Sequence, residues 1–129
     1  MVNDELTKNR YELEQVLVLL FRALQDLLVL SKKERVALLN EPAQIQQIVE
    51  DKEVLLDKIS MLEDKCRQIV QEISLQLNLR LEETSIQALL PHLKAEDASR
   101  IQNLTDGIYS LTSQARELNH ASQAIAVTK

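Results

Sequence analysis

Apolar residues in this chain recur every three or four positions from one end to the other, and no stretch alternates at the period of two that a strand requires. Three long rows can be traced. In the first, Leu13, Val16, Leu20, Ala23, Leu27 and Leu30 form one seam, with Leu17, Phe21, Leu24 and Leu28 beside it. The combined stripe is wider than the seam of a two-stranded coiled coil, so this helix, capped near Asn3 or Asp4 and running to about Leu30, should meet more than one neighbour. Ser31 to Glu34 fits a capping box, which marks either a short second helix through Leu39 or a kink in a longer first one. Asn40-Glu41-Pro42 is a clearer break, since proline suits a first helical turn.

The second row is Ile45, Ile48, Lys52, Leu55, Ile59, Leu62, Cys66, Ile69 and Ile73, spaced as a heptad seam. Pro42 to about Leu79 would be 38 residues of helix, roughly 57 Å long. Such a helix must pack along another long helix or another chain. Lys52 interrupts the seam. Its stem can pack while its ammonium reaches water, and a polar seam residue fixes register at a cost in stability. Lys52→Leu is therefore expected to stabilise by about 1 kcal/mol. Cys66, on the seam, reads as a small buried hydrophobe.

Leu79 to Thr84 ends that helix. Ser85 caps a short segment, SIQALLPHL, interrupted by Pro91. From Ala95 or Glu96 the third row runs through Ile101, Leu104, Ile108, Leu111, Ala115, Leu118, Ser122 and Ile125. It thins toward its end, and Gly107 adds a helix penalty of about 1 kcal/mol relative to alanine. Such a helix is marginal alone. The expected fold is all-α and elongated, a single helical domain over 1–129. Residues 1–84 form a long antiparallel hairpin as scaffold. Residues 85–129 form a C-terminal amphipathic segment that packs on the hairpin or swings away from it.

Composition narrows the function. With 45% hydrophobic and 27% charged residues, one glycine and two prolines, the 129-residue chain is neither disordered nor β-rich. Three aromatics leave no platform for stacking bases. The net charge of −5 lies wholly before Ser85, where 16 acidic face 11 basic residues. No basic stripe for nucleic acid is present. A single cysteine fits a reducing compartment. Asp4 and Glu5 ahead of any apolar run argue against a signal peptide. The run Val16–Phe21, broken by Arg22, is far short of a membrane span. A cytoplasmic protein is expected.

Chemistry is sparse. Glu117 and His120 have the Glu-x-x-His spacing of di-iron bundles, but that site needs two such motifs and further carboxylates, and the seam holds no glutamate. His92 stands alone beside Pro91. A chain with one glycine cannot build a glycine-rich phosphate loop. No catalytic, metal or cofactor site is expected; what remains is helical surface that recognises other helices.

The stretch from Leu30 to Ile69 resembles the FlgN family of flagellar export chaperones. Lys33, Glu34 and Arg35 open a segment leading to a Leu-Leu pair and a break; then come Lys52-Glu53, Leu55-Leu56 and, further on, Arg67. Glu117 to Ile125 is similar to the family's Leu-Asn segment, with Ser122 where the family often has a second asparagine. The resemblance implies a cytoplasmic, all-helical chaperone without ATPase activity. It implies binding of the helical ends of the hook–filament junction proteins FlgK and FlgL, and their delivery to the export apparatus. It also makes the C-terminal helix the client-binding element. On that helix Leu104, Ile108, Leu111, Leu118 and Ile125 share one face and are the expected client-binding residues, with Lys52 a register residue of the scaffold. The alternative is a structural coiled-coil adaptor acting by stable self-assembly. A chaperone should be a monomer or dimer at all concentrations, an adaptor a higher oligomer.

Overall fold

The computed structural model describes the backbone of residues 2–80 and 84–128, and the side chains of residues 4–80 and 84–119. Helix α1 spans Val2–Asn40, and a 3-10 turn at Pro42–Gln44 leads into α2, Ile45–Gln76. A short α3, Ile86–Leu89, continues into a 3-10 turn at Leu90–His92, and α4 covers Ala95–Thr128. No strand occurs among the described residues.

The capping box does not start a helix. Helix α1 continues unbroken through Ser31 to Asn40, and Ser31 is buried. No glycine or proline interrupts residues 31–40, and Ala37 and Ile48 are both buried where the hairpin arms meet. Continuing the i→i−4 ladder there satisfies the backbone and buries apolar surface as well; a side-chain cap would do only the former. The break falls at Glu41, whose N–H still donates to Ala37 O, and Pro42 opens the turn as its missing N–H allows.

Helix α2 ends in a Schellman motif. Asn78 N donates to Leu75 O, Leu79 N donates to Ser74 O, and Asn78 takes a φ of 58°. Asparagine is the side chain after glycine that best tolerates this left-handed position. Ser85 caps α3 as expected, accepting from the Ala88 N–H.

Helix α1 is the central element. It packs along α2 and along α4, while α2 and α4 make almost no close backbone approach to each other. The wide stripe of α1 is thus divided between two neighbours. One cluster, at the open end of the hairpin, joins Leu13, Val16 and Leu17 to Ile69, Val70 and Ile73, with Leu89 and Ile101 completing it. The second lies nearer the hairpin turn and joins Leu20, Ala23, Leu24 and Leu27 to Ile59 and Ala115.

Two charge clusters lock the arms. Glu14, buried on α1, accepts from Arg10 and from Arg100 Nε at 2.9 Å, while Asp97 pairs with both Arg10 and Arg100. This ties the first turns of α4 to α1 and sets them parallel. Across the hairpin, Lys52 Nζ stands 3.2 Å from Glu34 Oε1, both side chains largely covered. That partner reverses the sign of the substitution considered above. Lys52→Leu alone leaves the Glu34 carboxylate covered and unpaired, and should destabilise by about 1–3 kcal/mol. Lys52→Leu with Glu34→Leu should recover that loss, as read by urea denaturation of both variants.

Gly107 has an ordinary helical backbone, and its role is one of space. A Cβ there would stand 2.6 Å from Phe21 Cε2, so glycine lets α4 approach α1 at that level. The helix penalty is the cost of that approach.

Candidate functional site

Two neighbours placed apart on one helix leave a channel between them. In its lower half the channel is filled by the chain itself. Helix α3 packs on α2 and the following 3-10 turn packs on α4, so Leu89 is buried in the first cluster with Leu90 and Leu93 beside it. Above this plug the channel is open. It forms a groove of about 350 Å³ whose floor is Leu20, Leu24 and Leu27 of α1. Leu56 and Ile59 form the α2 wall, and Ile108, Thr112 and Ala115 the α4 wall. Ser31 and Lys52 lie at the end nearer the hairpin turn.

The groove is apolar below and polar at its edges. Leu56 is 46% exposed although leucine is not a surface residue by preference, and it lies on the groove. Ala115, where the third seam thins, keeps the α4 wall low; a leucine there would close much of the space. The groove runs alongside α1 from Leu20 to Ser31, about 17 Å at 1.5 Å per residue, or about three helical turns. An apolar floor between polar edges is the lining that a helix bearing one apolar stripe would require.

Of the four α4 residues that are expected to bind a partner and whose side chains are described, Ile108 alone lines the groove. Leu104 is half-buried against the first cluster and Leu111 against the second, while Ile108 touches both. Leu118 is half-buried, and the side chain of Ile125 lies outside the described residues, as do those of His120 and Ser122. The groove floor, Leu20, Leu24 and Leu27, belongs to the wide α1 stripe read from the sequence, whereas Leu56 on α2 has no binding role in that reading. The excess width of that stripe signals more than one neighbour, and α2 and α4 divide it, leaving the floor leucines only 5–7% exposed at the base of the groove.

Cys66 is half-buried against the first cluster. Burial pushes its thiol above the ordinary range, outweighing the lowering effect of Arg67, so it stays protonated and inert. Among the described residues no cluster of three or more His, Cys, Asp or Glu side chains could hold a metal. No helix among them is long and apolar enough to cross a membrane.

A family model described as FlgN protein matches residues 9–126. No curated protein matches the chain, and no solved structure does.

Proposed function

The chain belongs to the FlgN family of flagellar export chaperones, and from that premise we propose that it holds the helical ends of the hook–filament junction proteins FlgK and FlgL in the groove between α2 and α4. The observation that carries this reading is the unfilled upper half of the channel, with Leu20, Leu24, Leu27 and Leu56 on its surface. Such clients expose unpaired apolar stripes as monomers, because those stripes meet only in the assembled flagellum. A stripe seated in the groove is kept from premature assembly in the cytoplasm until export.

Helix α4 contributes as a wall. Ile108 touches the client, while Leu104 and Leu111 hold the wall against the hairpin. The low wall at Ala115 suits a grip that must release. Each client leucine seated in the groove contributes about 1.5–3 kcal/mol, and because association itself is costly, a complex of about micromolar affinity needs several such contacts along the stripe.

The test is titration of the purified chain with isolated FlgK or FlgL, followed by calorimetry. A one-to-one complex of about micromolar Kd is expected. Absence of binding to both proteins at about a hundred times that concentration overturns the assignment of clients.

A further inference from the structure

The groove has ends of opposite charge, and we infer that it holds its client helix in one polarity, parallel to α1 and α4, with the client's N-terminal turn beside Glu63 and its C-terminal turn beside Arg116. This rests on the groove being the client site.

The ends are fixed by register. Helix α4 runs parallel to α1, since Arg100 reaches Glu14 and Gly107 faces Phe21. Arg116 and Asn119 therefore stand at the Ser31 end of the groove, and Ile108 at the Leu20 end. Helix α2 runs antiparallel, since Lys52 reaches Glu34. Glu63 lies about three turns beyond Lys52 along α2, which places it at the Leu20 end. Four charged groups bear on the groove: Glu63, Arg116, Lys52 and the Glu34 that holds Lys52. The last two neutralise each other at 3.2 Å. Glu63 and Arg116, both exposed on the rims, make no ion pair among the described residues. The net pattern is an anion at one end and a cation at the other.

A helix presents the converse pattern. Its first N–H groups carry partial positive charge and its last carbonyls partial negative charge. Seated parallel to α1, it places its N–H groups near Glu63 and its carbonyls near Arg116. Seated the other way, it opposes like to like at both ends. Each end favours the first arrangement by about two- to fivefold, so the two ends together with their reversal give a preference of about tenfold or more.

The probe is a hydrocarbon-stapled helix of about three turns, with a leucine and isoleucine stripe, neutral capped ends and no charged side chains near them. A nitroxide is attached at its N-terminal end in one preparation and at its C-terminal end in another. Amide resonances of the full chain are then recorded with each at low ionic strength. The N-terminal nitroxide is expected to broaden Leu20 and Ile108, and the C-terminal one Ser31 and Asn119. Glu63→Lys with Arg116→Glu should abolish or invert that assignment while binding persists. Mirror-image broadening, or equal broadening of both ends by both peptides, overturns the polarity and leaves the groove reading intact. Failure of the peptide to bind, or binding indifferent to Leu56→Glu, overturns the groove reading itself. So does a concentration-dependent dimer that excludes the peptide, because a second copy would then occupy the channel.

Discussion

Ile101→Ala should lower the unfolding free energy by about 3 kcal/mol, the largest loss expected from a single substitution on α4. Ile101 is 0% exposed and sits where all the long helices converge, against Leu13 and Leu17 of α1 and Ile69 and Ile73 of α2. Truncating such a side chain removes its transfer free energy and leaves a cavity, together about 2–5 kcal/mol. The site cannot collapse to fill the space. Arg100, its immediate neighbour, is bonded to Glu14 and Asp97, which fixes the first turns of α4 in place. The matched control is Leu118→Ala, at a half-buried position beyond both clusters, where a loss below about 1 kcal/mol is expected. Urea denaturation followed by circular dichroism measures both. Equal, small losses at the two positions would mean that α4 is not docked at its base. The charge network would then be a surface feature of little worth.

How far the sequence disclosed this arrangement depends on what each feature needs. Seams need only local periodicity, and Leu13, Val16, Leu20, Ala23 and Leu27 are all buried as their spacing indicates. The turn at Pro42 and the cap at Ser85 are also local, and both are as read. Ser31 left two readings open, a second helix or a longer first one, because a capping box states what a backbone could do; the longer first helix is the one found, with Ala37 and Ile48 buried where it meets α2. The end of α2 was legible in principle: Asn78 followed by Leu79 is a Schellman signature with asparagine in place of glycine. The Lys52–Glu34 pair was legible too. With the turn centred on Ala43, the two residues are mirror images across the hairpin, 18 positions apart. The groove was less accessible. It depends on the angle between two neighbours around α1 and on SIQALLPHL folding back as a plug, which puts Leu89 in the core. Periodicity gives the width of a stripe but not which part of it each neighbour covers.

Leu56→Glu should weaken client binding at least about 30-fold while leaving the fold almost unchanged. Leu56 lines the groove yet remains 46% exposed, so the folded chain gains little from it. A substitution at such a position ordinarily changes stability by no more than about 0.5 kcal/mol, and glutamate is a good helix former. A bound client changes the balance. The leucine contact is then absent, worth about 1.5–3 kcal/mol, and a carboxylate is forced beneath the client's apolar stripe. About 2 kcal/mol alone corresponds to a factor of about 30 in Kd, and the covered charge adds to it. The substitution separates the grip from the fold in a way that α4 substitutions do not. Leu111→Ala with Leu118→Ala would also weaken binding, but Leu111 packs on the second cluster, so part of that loss is stability. Calorimetry with FlgK or FlgL, paired with urea denaturation of the same samples, reads both quantities. Binding lost with an unchanged denaturation midpoint is the expected result. Wild-type affinity in Leu56→Glu would move the client off the groove, and the exposed outer faces of the hairpin would then be the surface to probe.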